Sequence, residues 1–309
     1  MILCCGEALI DMLPRKTEDG AAGFAPYPGG AVFNTALALA RLGAETGLFT
    51  GLSRDLFGQR LENVLRLNAV NSDRIARSDR PTTLAFVTLT DGQAEYAFYD
   101  ENTAGRLLAQ ADLPQDLTGV EALFFGGISL AVEPCADAYE ALCLRAPEAQ
   151  LIMIDPNIRP DFIADAERYR ARLARMLAVA DVVKLSDEDL IWLEGDGDLA
   201  SLARGLLDKG PKLVLITEGR DGVTAYSASG AVQVPAQAVE VVDTVGAGDT
   251  FNAGFLAGLS EAGMLTKAAI AKGLDKAVLT TALSLGVAAA AVTVSRAGAN
   301  PPQREDVAI

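Results

Sequence analysis

The run Asp243-Thr-Val-Gly-Ala-Gly-Asp249, continued by Thr250-Phe-Asn-Ala-Gly-Phe-Leu256, sets two glycines and a carboxylate at a chain reversal. Gly246 and Gly248 allow a tight turn with open backbone N–H groups. Residues 249–262 read as a helix, with Phe251, Phe255 and Leu259 on one face and Gly263 as its stop. A small-residue loop opening into a helix is an anion site, because its unpaired N–H groups and the helix dipole point the same way. Asp249 puts a carboxylate where that anion would sit. It is either a base beside a phosphate or an ordinary first-turn cap. The preceding Glu240-Val-Val242 reads as a strand feeding the turn.

A second glycine turn, Pro28-Gly29-Gly30-Ala-Val-Phe-Asn34, opens another helix that ends at Leu42-Gly43. Two glycines let a ligand approach the backbone, and Asn34 offers a donor and an acceptor to hydroxyls; the alternative is a solvated first-turn Asn. Asp11 is a carboxylate able to accept two hydroxyl hydrogen bonds, or a turn cap. Gly195-Asp-Gly197-Asp-Leu-Ala200 has dinucleotide-loop spacing but follows a helical run and carries two acids, so it reads as a loop before a helix. No G-x-x-x-x-G-K-[ST] stretch is present.

The chain of 309 residues contains no histidine, which removes Ser-His-Asp and Cys-His catalysis, His-ligated zinc and imidazole shuttles together. Proton transfer falls to Asp, Glu, Lys, Tyr or Cys. A net charge of −15 argues against a nucleic-acid or anionic-membrane partner and suits Mg²⁺ carried with a polyanionic substrate. Cys4, Cys5, Cys135 and Cys143 form no C-x-x-C pair and read as small core residues in a reducing compartment. The first strand opens without a basic leader, so no signal peptide is expected. The apolar stretch 280–294 is shorter than about 18 residues and reads as buried helix and strand, not a membrane span. The expected compartment is the cytoplasm.

These residues need a scaffold. Continuous apolar runs at 2–5, 45–50, 122–125, 151–154, 182–185 and 213–217 read as parallel strands buried on both faces. Helical patterns lie between them at 34–42, 57–67, 136–145, 165–178 and 198–209. The alternation predicts one α/β domain over 1–309, a doubly wound, mainly parallel sheet. Two segments depart from it: 8–28 is irregularly strand-like, and 82–90 and 93–99 alternate around Asp91-Gly92, a hairpin signal. About 8–28 and 82–101 are expected to form a small antiparallel β lid, or else an antiparallel edge. Asp11, Asp155-Pro-Asn157-Ile-Arg159, Lys184, Thr217-Glu-Gly219 and the Gly-Asp turn all follow expected strand ends, where open α/β sheets bind ligands.

Taken together, Gly29-Gly30…Asn34…Leu42-Gly43 and Asp243-Thr-Val-Gly-Ala-Gly-Asp249, about 210 residues apart with Asp155-Pro-Asn157 between, resemble the two signatures of the ribokinase/PfkB carbohydrate kinase family. The resemblance spans essentially the whole chain. Gly6-Glu7-Ala-Leu-Ile-Asp11, Gly51-Leu-Ser-Arg-Asp55-Leu-Phe-Gly58 and Val294-Ser-Arg296-Ala-Gly298-Ala-Asn-Pro-Pro302 look most like its fructokinase branch. It implies a ribokinase-like fold and an ATP- and Mg²⁺-dependent kinase for a primary sugar hydroxyl, D-fructose to fructose 6-phosphate. By the same resemblance Asp249 is the base, and N–H groups at Gly246, Ala247 and Gly248 neutralise the transferring phosphoryl. Asp11, Gly29, Gly30 and Asn34 meet the sugar, with Phe98 or Tyr96 closing over it and Arg159 near phosphate. Lys184, Thr217, Gly219 and Gly222 fall on the nucleotide side. Asp243, with carbonyls near Val245 and Gly298, is the site of a monovalent cation such as K⁺.

The sequence departs from the family in two places. Ser186 and Asp189 stand where N-x-x-E is common, which weakens the link from Asp189 to Mg²⁺, and Leu285-Gly-Val-Ala lacks the Asn many members place near adenine. Rival readings are 2-keto-3-deoxygluconate kinase, with Arg106 as counter-ion to a sugar carboxylate, ribokinase, and a nucleoside kinase, which the 6% aromatic content disfavours. The non-enzyme rival is a sugar-binding regulator with a decayed site. An exposed lid sheet would suit a homodimer.

Overall fold

The computed structural model describes residues 1–90, 93–146 and 150–308, without the side chains of 88–90 and 93–96. The expected Asp91-Gly92 turn and the Tyr96 ring lie outside that description. Six short apolar strands, β1 (Ile2–Cys5), β4 (Thr46–Phe49), β9 (Ala122–Gly126), β10 (Leu151–Asp155), β11 (Val182–Ser186) and β12 (Leu213–Thr217), pair in parallel as the central sheet. An antiparallel hairpin, β13 (Val223–Ser227) and β14 (Gly230–Val234), extends one edge, giving the order β14-β13-β12-β11-β10-β9-β1-β4.

Side chains alternate across a strand, so each one feeds two cores. Ile2 and Cys4 face one layer while Leu3 and Cys5 face the other. The first layer holds α1 (Ala31–Arg41), α2 (Leu56–Leu67), α7 (Ala247–Glu261), α8 (Lys267–Lys272) and α9 (Lys276–Val294). The second holds α3 (Cys135–Arg145), α4 (Ala166–Leu177), α5 (Asp187–Glu194) and α6 (Leu199–Leu207). This is the expected doubly wound α/β architecture. All four cysteines are buried and unpaired.

A second sheet of order β3-β2-β7-β8 stands outside the core: β2 (Leu9–Lys16), β3 (Ala22–Gly29), β7 (Leu84–Thr90) and β8 (Gln93–Tyr99). Both expected segments contribute, but the sheet is mixed. Hairpins β2–β3 and β7–β8 are antiparallel, and they join through a parallel β2–β7 seam, Ile10 to Leu84 through Met12 to Phe86. A short parallel pair, β5 (Gly51–Ser53) with β6 (Ala76–Ser78), completes the sheets.

Three expectations are corrected. Glu240-Val-Val242 is not a strand: the antiparallel hairpin already closes that edge, and the chain passes on with Val241 and Val242 about 60% exposed (60% and 58%). Backbone N–H groups of Val242 and Asp243 donate to the Val294 carbonyl instead, at 2.8 and 3.2 Å. Asp11 does not follow β1; it lies inside β2 of the lid, and Gly6-Glu7 occupies the strand end. Residues 280–294 are helix throughout, the C-terminal part of α9. By length and mean hydropathy, 2.0, α9 could cross a membrane, yet 56% of its apolar window is buried in the fold.

α7 and α9 approach closely through glycine: a Cβ on Gly254 would lie 2.7 Å from Gly286 Cα. That approach fixes the position of the α7 N-terminus, which carries Asp249.

Candidate active site

Two helix N-termini converge over the carboxyl ends of the central strands. α1 starts at Gly30, with φ +107°, and α7 at Gly246, with φ +80°, a left-handed turn that favours glycine. α7 begins at Ala247, two residues before the expected start. Among the described residues no side chain caps it; the Ala247 N–H donates to the Thr244 carbonyl at 3.3 Å. At α1, Glu7 Oε1 accepts the Ala31 N–H at 2.9 Å and Oε2 the Ser129 N–H at 3.3 Å.

Asp249, in the first turn of α7, is 7% exposed, and its Oδ2 accepts a hydrogen bond from Asn34 Nδ2 at 2.9 Å. Burial lifts its pKa from 3.8 to about 7; the Asn34 bond and Lys184 oppose the rise, and the Asp155 and Glu7 charges add to it. Asp11 is lifted to about 6, also by burial. Its carboxylate packs on Gly29, where any Cβ would overlap it.

The cleft between the sheet edge and the lid has a volume of about 1000 Å³. Asp249, Gly246, Ala247 and Gly248 line it, and so do Asp11, Gly30, Asn34, Phe98 and Arg159. Phe98 meets Phe162 edge to face, with ring centroids 4.5 Å apart. The Arg159 guanidinium donates to the Ile158 carbonyl at 2.9 Å. Lys184, directly beneath Gly248, also lines it, as do Thr217, Gly219 and Gly222 and the apolar Val239, Val241, Ala290, Ala291 and Val294.

Gly29, Asp243 and Gly298 do not line the cleft. Asp243 instead ties two loops, its Oδ1 accepting the Val245 N–H at 3.0 Å and its Oδ2 the Gly298 N–H at 2.9 Å. Asp189 lines the cleft but spends both oxygens on backbone amides, Ile158 at 2.9 Å and Ser186 at 3.2 Å. Ser186 returns a side-chain cap to Asp189 N–H, so the pair is a capping box opening α5. No cluster of three or more acid or thiol ligands occurs among the described residues. Arg106 is held by both Asp100 oxygens, at 2.8 and 2.7 Å, and is not among the cleft residues. Sequence reasoning assigned no role to Glu7, Phe162 or Asn252. An acid directly after a central strand, as Glu7 is after β1, was the available signal; Phe162 offered none.

Residues 1–306 match the profile of the pfkB family carbohydrate kinases. A fructokinase of Rhizobium leguminosarum bv. trifolii is 53% identical over 90% of this chain and 85% of its own. The crystal structure of a Xylella fastidiosa fructokinase with bound ATP superposes with a TM-score of 0.90 at 30% identity, covering 99% of this chain and 96% of that one. A Vibrio cholerae O395 fructokinase, solved with fructose, ADP and calcium, gives 0.82 at 26% identity, over 96% and 94%.

Proposed function

The chain belongs to the pfkB family of carbohydrate kinases, and on that premise we propose that it phosphorylates D-fructose with ATP, giving fructose 6-phosphate and ADP. The observation that carries the reading is Asp249: a buried carboxylate with its pKa lifted to about 7, bonded to Asn34, at an uncapped helix start facing a deep cleft.

Ionised Asp249 takes the proton of the attacking hydroxyl. The hydroxyl oxygen bonds to the γ-phosphorus as the bond to the β-phosphate oxygen breaks and ADP leaves. N–H groups of the Gly246-Ala247-Gly248 turn offset the charge on the transferring group, that of Ala247 shared with the Thr244 carbonyl. Such transfer asks a protein mainly for positioning and electrostatic stabilisation. Asp11, Gly30 and Asn34 hold sugar hydroxyls, Gly29 leaves room for the Asp11 carboxylate, and Phe98 walls the sugar side. Arg159 serves the phosphate side, and Lys184, Thr217, Gly219 and Gly222 serve the nucleotide.

Mg²⁺ fits this site as a companion of the nucleotide. It would bind mainly through phosphates and waters, and Asp189, which lines the cleft while its oxygens accept the Ile158 and Ser186 amides, is the carboxylate that would hold its water shell. When bound, it neutralises phosphate charge. By likeness to its family a monovalent cation, K⁺, would sit by the Val245 and Gly298 loops that Asp243 joins; exchanging K⁺ for tetramethylammonium is expected to lower kcat, and an unchanged rate would remove that site. Four reduced cysteines and the use of ATP support a cytoplasmic location. Exposed aromatics on the lid support a homodimer through it.

The Asp100 ion pair holds Arg106, the counter-ion expected for a keto-acid sugar, outside the cleft lining. ADP release measured over D-fructose, D-ribose, 2-keto-3-deoxygluconate and adenosine tests the reading. Fructose is expected to have the highest kcat/KM, by at least about tenfold. A higher value for another acceptor would overturn the substrate, and no ADP with any would overturn the kinase.

A further inference from the structure

Behind the Gly246–Gly248 turn lies a buried polar cluster from three elements. Asp155, at the end of β10, is 2% exposed. Its Oδ2 accepts from Lys184 Nζ at 3.1 Å and from Asn252 Nδ2 at 2.6 Å, and its Oδ1 accepts the Asn157 N–H at 3.1 Å. Lys184, on β11, lies directly under the turn: its Nζ is 3.2 Å from where a Cβ on Gly248 would stand.

Asn252 is the unexpected member. It follows Asp249 by three residues, one turn further along the same side of α7. It is 1% exposed, and its Oδ1 has no hydrogen-bond partner among the described residues. A buried amide with one end unsatisfied is poor packing material, and an apolar residue would fill the place better. The other end explains its presence. A neutral donor satisfies Asp155 without adding charge, whereas an acid would set a like charge beside Asp155 and one turn from Asp249.

We propose that Asn252 is a positioning residue for phosphoryl transfer: through Asp155 it fixes the Lys184 ammonium beneath the Gly246–Gly248 turn, where negative charge gathers. This rests on the kinase reading above. The groups facing Asp249 are Glu7 after β1, Asp155 on β10, Lys184 on β11 and the neutral Asn34 on α1. Freeing Lys184 leaves Asp249 opposite two carboxylates with less compensation, so it ionises at higher pH.

The test compares wild type, Asn252→Leu, Lys184→Met and the double variant, by kcat, KM, the pH profile of kcat/KM and thermal unfolding. Asn252→Leu is expected to stay folded and lose about 10- to 100-fold in kcat, with the fructose KM within about twofold. Its acid limb moves to higher pH, and the double variant is no slower than Lys184→Met alone. A wild-type rate and limb in folded Asn252→Leu, or losses that multiply in the double variant, would overturn the proposal. If Asn252→Leu does not fold, Asn252→Ser is held to the same outcomes. A wild type that does not phosphorylate fructose would fail at the first measurement, overturning the kinase reading and this proposal with it.

Discussion

Asp249 is a residue held against its own preference. Its pKa rises from 3.8 in an exposed chain to about 7 in the fold, so between those values the folded protein keeps a proton that the unfolded chain releases. Stability therefore falls as pH climbs from 3.8 toward 7, and the full penalty stands above 7. Asp249→Asn keeps an acceptor for Asn34 but carries no charge. It is expected to stabilise the protein at pH 8, by at most about 4 kcal/mol for the rise from 3.8 to about 7, and to change nothing near pH 4. Urea unfolding at the two pH values checks this; a destabilised variant at pH 8 would mean that the carboxylate is favourably solvated after all. Strain of this kind is what a base working near neutrality requires.

At the scale of elements, the site depends on where α7 starts, and α7 is set by its contact with α9. A Cβ on Gly254 would meet Gly286 Cα at 2.7 Å and the Leu285 carbonyl at 2.8 Å, both backbone atoms that cannot swing aside. Gly254→Ala gains helix propensity of about 1 kcal/mol but forces the helices apart, and a net loss of about 1–2 kcal/mol is expected. A midpoint equal to wild type would show the contact to be soft.

The same elements explain what could be read beforehand. The six central strands announce themselves because burial on both faces makes their sequences continuously apolar. The glycine turns at Gly30 and Gly246 announce the site because only glycine suits their φ values, +107° and +80°. β14 escaped notice because it is an edge strand with three of its five residues exposed. Val241 and Val242 misled because β-branched residues signal strands even where, as here, the chain leaves them exposed. Asn252 could not be found from spacing, since its partner Asp155 lies 97 residues away.

In the whole molecule, an α/β core supplies the fixed groups and the outer sheet supplies the cover. That sheet also presents an aromatic surface on the face away from Asp11: Phe24 is 44% exposed and Tyr99 64%, with Phe86 packed edge to face against both. Two copies meeting through it would bury these rings about a twofold axis, the commonest oligomeric arrangement. Sedimentation equilibrium is expected to give twice the 32.3 kDa chain mass for wild type and the single mass for Phe24→Ser/Tyr99→Ser. A monomeric wild type would remove the dimer and leave the chemistry untouched.

The most direct trial of the mechanism is the turnover of folded Asp249→Asn with D-fructose and MgATP, with calorimetric titration of both substrates beside it. Fructose and ATP are expected to bind within about threefold of wild type while kcat falls at least about 100-fold, the contribution of a positioned base. A kcat close to wild type, with both substrates bound, would contradict the assignment of proton transfer to Asp249.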